Sequence, residues 1–162
     1  GSDGSLSSPS TGIVNFRDVS QEPGFLEKLL KHDVVVEREV PALIPGTHFD
    51  IRHVVIFDEV QGSYFRRAAD GKLVANVSQG GRIDYEDLPQ KVGKECIEKA
   101  EEIAIEAARA LRLRCVGVDT MIDPDRGPLV IEAQAFQEFR RGKLDTSQTL
   151  LSGIYRNWPQ NL

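Results

Sequence analysis

Residues 117–134, GVDTMIDPDRGPLVIEAQ, carry the side chains whose types and spacing best suit chemistry. The central PDRG has the composition of a tight turn, so its two flanks should pair as a hairpin. That pairing places Asp119 opposite Glu132, with Gln134 two residues further along the same face. Directly opposed carboxylates repel each other, and a hard divalent cation held by oxygen ligands would offset the repulsion. The alternative is a solvated acidic face with a lysine nearby.

The position of Asp119 depends on the register of this hairpin. Closing the hairpin symmetrically pairs Asp123 with Pro128, and counting outward pairs Asp119 with Glu132. A slip of one residue would move the two acids to different faces of the sheet. The cation site is therefore a prediction that depends on the register of two strands.

A second group of residues is basic and could bind phosphate. Its members offer cationic or amide donors on or near predicted hairpins: Arg52, Arg66, Arg67, Asn76, Gly80, Gly81 and Arg82. Arginine side chains and backbone amides are common phosphate donors. Arg66 and Arg67 are neighbours on a strand and point to opposite faces, so at most one shares a pocket with Arg52. The alternative is a set of arginines scattered over the surface.

The histidines and cysteines form no catalytic or metal-binding pattern. His32, His48 and His53 lack metal-ligand spacing, and the chain has neither a nucleophile elbow nor a complete P-loop motif. The two cysteines, Cys96 and Cys115, are too few for a disulfide framework or a metal cluster. Cys96 falls on the apolar stripe of a predicted helix, which favours a core thiol over a nucleophile.

Length and charge restrict the class of protein. The chain has 162 residues, with 20 basic and 25 acidic side chains and a formal net charge of -5. That length suits one domain or two small lobes. The acidic balance argues against a nucleic-acid partner, although a local basic pocket for a nucleotide is compatible with it. No apolar run approaches the ~20 residues that span a bilayer, and the start does not resemble a signal peptide, so we expect a reduced, cytoplasmic protein with no membrane partner.

The elements that must position these residues form an α+β pattern, with mostly antiparallel strands and few helices. Strand patterns cover 13–16, 34–40, 51–57, 62–69, 73–77, 114–122 and 128–134, and a glycine loop is predicted at 78–82. Turn signals at Gln61-Gly62 and Asp70-Gly71 predict two hairpins among these strands. Helix patterns cover 22–32 and 88–113. The longer helix has an apolar stripe at helical period, formed by Val92, Cys96, Ala100, Ile103, Ala107 and Leu111.

The two ends of the sequence are ambiguous. Residues 1–12 are rich in serine and glycine, which suits a cloning remnant, a disordered lead-in or a mobile glycine loop, and composition alone favours disorder. Beyond residue 142, a docking helix could form from Leu150, Leu151, Ile154 and Trp158.

Taken together, these segments resemble the ATP-grasp superfamily, nearest its RimK-type glutamate ligases and glutathione synthetases. The likeness rests on the long helix and on FDIRHVVIFDEV (49–60), YFRRAADGKLVANVSQGGR (64–82), GVDTM (117–121) and LVIEAQ (129–134). The resemblance implies an ATP-grasp-like α+β fold, in which a mostly antiparallel sheet is packed by a long helix. It assigns residues 1–36 to the end of a small lobe, beginning with part of a loop over the phosphates, and residues 37–162 to a large C-terminal lobe.

The resemblance also implies an ATP-dependent carboxylate–amine ligase that uses Mg²⁺ or Mn²⁺. In that reaction ATP phosphorylates a carboxylate and an amine captures the acyl phosphate, so the partners would be small carboxylate and amine substrates or a peptide. By position, the metal ligands would be Asp119, Glu132 and Gln134. The residues lining the adenine and ribose pocket would be Glu37, Arg38, Glu39 and Val40. The catalytic residues at the phosphates and the acyl phosphate would be Arg52, Arg67 and Asn76.

Several residues depart from the pattern of this family. Gln134 stands where asparagine is usual, Arg38 stands where an acid is common, and residues 135–138 replace the usual Pro-Gly. The family's N-terminal domain and its phosphate-binding lysine do not match any part of the sequence, so we expect a C-terminal fragment of the full enzyme, an isolated domain of it or a degenerate member of the family. Two alternatives stay open. One is a non-catalytic nucleotide-binding or interaction module that keeps the fold, and the other is acid–thiol ligation.

Overall fold

The computed structural model describes residues 38–77 and 80–135, together with residues 24, 27, 31, 152, 153, 155 and 156. The chain divides into two compact units, Gly1–Glu39 and Val40–Leu162, and the helices and strands below belong to the second. The patterns at 1–12 and 13–16, most of the pattern at 22–32, the start of the strand at 34–40 and most of the tail therefore lie outside the described residues. The predicted lobe boundary after residue 36 stays a prediction.

Five strands form one sheet. They are β1 (Phe49–Ile56), β2 (Glu59–Arg67), β3 (Arg82–Asp84), β4 (Cys115–Asp123) and β5 (Gly127–Gln134). Their order across the sheet is β3-β2-β1-β4-β5, and every neighbouring pair is antiparallel. Two helices, α1 (Asp87–Val92) and α2 (Lys94–Ala110), lie between β3 and β4 in the chain. The predicted α+β arrangement is confirmed. No helix among the described residues is long and apolar enough to cross a membrane.

The core lies between the helices and one face of the sheet. The central strand β1 is buried along its whole length, which explains its run of apolar and β-branched residues. One apolar cluster consists of Phe49, Ile51, Phe65, Leu88, Ala100 and Ile122. The second consists of Val55, Ala104, Ala108, Val116 and Val118. The small alanine side chains, recurring every four residues on one helix face, let α2 lie close to the sheet.

The long predicted helix is interrupted, and its buried stripe agrees with the predicted one in part. Gly93 separates α1 from α2 with a φ of 83°, a conformation that glycine adopts readily. The buried residues of α2 are Ala100, Ala104 and Ala108. Val92, Cys96 and Ala107, from the predicted stripe, are half-buried against the apolar clusters. The predicted stripe missed Ala104 and Ala108, because residues three and four apart both fit the helical period and only packing selects between them. Leu111, its last member, is 54% exposed. Cys96 is half-buried at the margin of the first cluster, and burial raises its pKa, which disfavours a nucleophilic thiolate.

The turn between β1 and β2 lies earlier in the chain than predicted. Phe57 and Asp58 form it, with φ values of 48° and 68°, whereas Gln61 and Gly62 lie within β2. Positive φ at both central positions gives the turn that matches the twist of two paired strands. The Phe57 amide donates to the Arg114 carbonyl over 2.8 Å, and the Arg114 guanidinium lies 5.6 Å from the centre of the Phe57 ring. These contacts hold an aromatic residue in a conformation that it rarely adopts.

The predicted strand at 73–77 does not form, and the third strand is Arg82–Asp84, at the end of the predicted glycine loop. After the predicted turn at 70–71, the chain folds back on itself, and the Gly81 amide donates to the Asn76 carbonyl over 3.1 Å. A Cβ on Gly81 would lie only 2.3 Å from the Ala75 carbonyl oxygen. This close approach of two backbone segments requires glycine and replaces the expected extended strand.

The hairpin of β4 and β5 contains a bulge that the sequence did not predict. At the turn, Asp123 pairs with Gly127 rather than with Pro128, so the predicted register was wrong at this end. Immediately after Asp119 the register shifts, because β5 has one extra residue there, and Asp119 pairs with Glu132. The bulge therefore keeps the two acids on one face of the sheet.

Candidate functional site

Charged side chains collect on the face of the sheet that is turned away from α2. They come from four neighbouring strands, and we call them the charged cluster: Asp50, Arg52, Arg66, Asp119, Glu132 and Gln134. Strand alternation brings them together, because Asp50 pairs with Arg66 and Arg52 pairs with Asp119 in register.

Asp119 is the centre of the charged cluster and is 1% exposed. Its two carboxylate oxygens accept hydrogen bonds from Nε and Nη2 of Arg52, each over 2.6 Å. Nη2 of Arg66 donates to the same carboxylate over 2.7 Å, and Nε of Arg66 donates to Asp50 over 2.6 Å. The result is a continuous chain of alternating charges. Paired in this way, the four groups avoid the large penalty of an isolated buried ion.

The pKa shifts in the charged cluster follow from burial and ion pairing. Burial raises the pKa of Asp50, and its hydrogen bond and charge interaction with Arg66 offset only part of that effect. Burial alone would lower the pKa of Arg52, but the hydrogen bond and the charge of Asp119 outweigh it and raise the pKa. The pKa of Arg66 is raised against burial in the same way, by Asp50 and Asp119. Both arginines therefore stay charged, and Asp50 takes up a proton more readily than an exposed aspartate.

The strand β5 forms the outer margin of the charged cluster. Oε1 of Gln134 accepts a hydrogen bond from Nη2 of Arg52 over 3.2 Å, and Nε2 of Gln134 donates to Glu132. Glu132 is exposed and Gln134 is half-buried. Arginines and an amide therefore offset the repulsion between Asp119 and Glu132, where the sequence suggested a cation or a lysine.

The donor types at this margin fit a hard cation. Asp119, Glu132 and Gln134 offer two carboxylates and one amide oxygen, which are ligands that Mg²⁺ and Mn²⁺ accept. Oδ2 of Asp119 accepts two arginine hydrogen bonds, whereas Oδ1 accepts one and keeps a lone pair. No group of three or more His, Cys, Asp or Glu side chains in the described ranges could hold a metal ion. A cation would therefore need Gln134 or a phosphate beside the two acids, and the metal role of these residues stays a prediction.

Arg67 lies on the opposite face of the sheet from Arg52. It donates to Asp84 over 2.9 Å and pairs with Asp87, the first residue of α1. The prediction that Arg67 serves the same pocket as Arg52 is corrected, because its neighbour Arg66 is the arginine that turns toward Arg52. The alternation of side chains along β2 shows only that one of Arg66 and Arg67 can lie on the same face as Arg52. Arg67 instead ties the start of α1 to β2.

The remaining predicted ligand-binding residues lie in irregular segments. Asn76 is exposed between β2 and β3. Arg38 and Glu39 are exposed and Val40 is half-buried, and the predicted strand does not extend over these three. Glu37 lies outside the described residues. The ligand-binding roles of all five stay predictions.

Two features near the charged cluster were not predicted. Asp50 precedes Arg52 by two residues, so strand alternation could have placed it on the same face, although its ion pair required the fold. His53, which was assigned no chemistry, is fully buried between Ser63 and Thr120. Burial lowers its pKa to about 4. Its place in the apolar strand predicted at 51–57, which His32 and His48 do not share, is the signal that could have indicated its burial.

The sheet is antiparallel and packed by a helix, as the resemblance to the ATP-grasp superfamily implied. A family model described as a RimK-like ATP-grasp domain matches residues 27–151. The chain belongs to this RimK-like ATP-grasp domain family. The resemblance seen in the sequence and the ATP-grasp-like fold are both confirmed by this match.

Curated relatives are similar to part of the chain. The ribosomal protein bS6–L-glutamate ligase of Escherichia fergusonii is 39% identical over 87 residues, and the protein of the same name from Escherichia coli K12 is equally similar. Each match covers 53% of this chain and 26% of the relative. The chain thus matches about a quarter of the length of these proteins.

Two solved structures resemble the chain at low similarity. The ATP-grasp ligase PsnB complexed with minimal precursor gives a TM-score of 0.46 at 22% identity, over 67% of this chain and 34% of that chain. The macrocyclase MdnC from Microcystis aeruginosa MRC, bound with precursor peptide MdnA, gives a TM-score of 0.41 at 13% identity, over 68% and 34%.

Proposed function

We propose that this chain is the nucleotide-binding part of an ATP-dependent carboxylate–amine ligase that works through an acyl phosphate. Membership of the RimK-like ATP-grasp family supports this function. The structural observation that carries it is the buried chain Arg52–Asp119–Arg66, which lies beside Glu132 and Gln134. Phosphoryl transfer depends on positioning and on neutralising charge rather than on a covalent nucleophile, and fixed arginines beside carboxylates offer both.

In the proposed reaction, a carboxylate oxygen of the substrate attacks the γ-phosphorus of ATP, and ADP leaves. The amine then attacks the carbonyl carbon of the acyl phosphate, loses a proton and displaces phosphate, so that an amide forms. Arg52 and Arg66 would neutralise phosphate oxygens in both steps, with Asn76 as a further donor. The residues that would hold Mg²⁺ or Mn²⁺ are Asp119, Glu132 and Gln134. When bound, the metal supplies positive charge to the phosphate oxygens. The adenine would lie against residues 37–40.

The carboxylate substrate in this proposal belongs to a peptide or protein rather than to a small acid. Support comes from the curated relatives, whose name states that they join L-glutamate to a ribosomal protein. Because those relatives are about four times longer than the matched segment, the ligase activity would belong to a longer protein that contains this chain. We place that protein in the cytoplasm, where ATP is available, with no nucleic acid among its partners.

A second candidate function is a non-catalytic nucleotide-binding or interaction module. The observation that favours it is the state of Asp119, whose carboxylate already accepts three arginine hydrogen bonds. In that case the arginines and Asp119 would stabilise the sheet as a neutralised network, and no metal would be needed.

Calorimetry with ATP and Mg²⁺ tests the proposal on this chain and on the full-length protein that contains it. We expect saturable binding that weakens when Mg²⁺ is removed, and Glu132→Gln should weaken its Mg²⁺-dependent part. Glu98→Gln is the matched control, because Glu98 is an exposed acid paired with Lys94 on α2, and it should leave binding unchanged. Absence of binding by the full-length protein would refute nucleotide binding altogether. ADP release that requires both a carboxylate and an amine would separate the ligase from the module.

A further inference from the structure

A chain of hydrogen bonds crosses the sheet on the face that packs against α2, directly behind the charged cluster. His53, on β1, is fully buried. Its Nδ1 lies 2.9 Å from Oγ of Ser63 on β2, and its Nε2 lies 2.9 Å from Oγ1 of Thr120 on β4. Ser63 in turn donates to Oε1 of Glu101 on α2 over 2.8 Å. We call these four residues the polar relay.

The supply of protons gives the polar relay a direction. Ser63 has one hydroxyl proton, and an ionised Glu101 can only accept it. Ser63 must therefore accept the hydrogen bond from His53, so Nδ1 carries the imidazole proton. In a neutral imidazole Nε2 is then an acceptor, and the Thr120 hydroxyl donates to it. Burial lowers the pKa of His53 to about 4, which keeps the ring neutral at physiological pH.

The polar relay and the charged cluster share two stretches of backbone. His53 follows Arg52 on β1, and Thr120 follows Asp119 on β4, so each pair lies back to back across the sheet. The ladder between β4 and β5 is interrupted between Asp119 and Thr120, and a bulge leaves a strand less firmly paired at that point. The hydrogen bond between His53 and Thr120 ties the same point of β4 to β1 from the other side.

We propose that His53 is a positioning residue for the charged cluster. Held as the Nδ1–H tautomer between Ser63 and Thr120, it fixes β4 opposite the bulge of β5 and so keeps Asp119 in register with Arg52. The effect of His53 on a reaction rests on the proposed function, because that effect requires the charged cluster to bind nucleotide. The effect of His53 on the geometry of Asp119 is independent of the proposed function.

Long-range proton–nitrogen NMR spectra of the imidazole test the tautomer in the unsubstituted chain. We expect Nδ1 to be protonated and Nε2 to be unprotonated at neutral pH. His53→Gln identifies the resonance by removing it, and His48→Gln, at a half-buried position outside the polar relay, should leave it in place. An Nε2–H tautomer or a charged ring at neutral pH would overturn the proposal.

Thr120→Val tests the positioning role, because it removes the hydroxyl at nearly constant volume, and Thr120→Ser restores the hydroxyl. We expect the Nε–H of Arg52 to exchange with solvent about 10-fold faster in the valine variant and to return close to the original rate in the serine variant. Thr47→Val, at a half-buried position outside the polar relay, is the control for losing a hydroxyl. If Thr120→Val does not fold, Ser63→Ala with Ser63→Thr forms a second pair with the same expectation.

Two results would contradict the positioning role. One is unchanged Arg52 exchange in the valine variant. The other is equal acceleration of the backbone amides throughout β1 and β2, which would mean general loosening of the sheet. Affinity for ATP with Mg²⁺ separates this inference from the proposed function. If the unsubstituted protein binds ATP, Thr120→Val should weaken binding about 10-fold and Thr120→Ser should restore it. If it does not bind, the proposed function fails, and the tautomer and exchange measurements still decide the role of His53.

Discussion

His53 should make the stability of this domain sensitive to mild acid. Burial lowers its pKa from 6.5 to about 4, whereas the unfolded chain exposes the ring to water. Between these two pH values the unfolded state binds more protons than the folded state, so stability from the neutral His53 is present above about pH 6.5 and is lost as the pH falls. At ~1.4 kcal/mol per unit of pKa shift, the whole loss is roughly 3 kcal/mol, of which about 2 kcal/mol is lost by about pH 5.

Urea unfolding at several pH values between about 7.5 and 5 measures this loss as a change in the free energy of unfolding. His53→Gln keeps hydrogen-bonding groups but cannot titrate, so it should lose about 2 kcal/mol less than the unsubstituted chain over this range. Ion-paired acids such as Asp123, whose pKa is lowered chiefly by its hydrogen bond with Arg126, lose stability in both proteins and cancel in the comparison. His48→Gln controls for the loss of an imidazole that is only half-buried.

Parallel pH profiles for the unsubstituted chain and His53→Gln would refute this reasoning. They would mean that His53 takes up its proton equally well in the folded and unfolded states, which full burial between two hydroxyls does not allow. A profile that falls more steeply in the glutamine variant would refute it as well, because the sign of the linkage would then be reversed.

Four further substitutions test stability at other positions. Arg112 follows α2 with a φ of 55°, a conformation that favours glycine, so Arg112→Gly should raise the free energy of unfolding by roughly 1 kcal/mol in urea titration; a lower value would contradict this. Gly81→Ala would place a Cβ 2.3 Å from the Ala75 carbonyl oxygen, so thermal unfolding should show a loss of about 2 kcal/mol or more. Asp119→Asn leaves two buried arginines short of a charge partner and should lose roughly 3 kcal/mol. The exposed Glu132→Gln should change stability by less than about 0.5 kcal/mol, and equal losses at the two positions would argue against the charged cluster as described.

The strands around the charged cluster were predictable because they are central and continuous. Runs of β-branched and apolar residues predicted β1 and β4 to within two residues at each end, since a strand covered on both faces must be apolar along most of its length. The polar residues that interrupt these runs, Arg52 and Asp119, therefore marked the positions where charge had to be paired inside the fold. That conflict between burial and charge is the sequence signal of the site.

The turns were less predictable because contacts from distant parts of the chain decide them. Glycine at position 62 suggested a turn, yet the hairpin turns at Phe57 and Asp58, where the backbone of Arg114 accepts the Phe57 amide. The contact of Gly81 with Ala75 likewise replaces a strand that local pattern favoured. Each outcome depends on a neighbour that the local sequence does not specify, so composition alone gave the wrong element.

Asp119 pairs with Glu132 as predicted, although the register predicted at the turn was wrong. The pair still forms because any other position would bury the charge of Glu132. The turn closes one residue earlier than symmetry suggested, because the Asp123 carboxylate accepts the amides of Asp125 and Arg126 over 2.9 and 3.0 Å. Continued without a bulge, that register would pair Glu132 with Val118 and point its charge into the apolar cluster beneath α2. Burying an unpaired carboxylate costs far more than one interrupted ladder step. The bulge is therefore the arrangement that burial and charge together select, and it returns both acids to the face that carries the arginines.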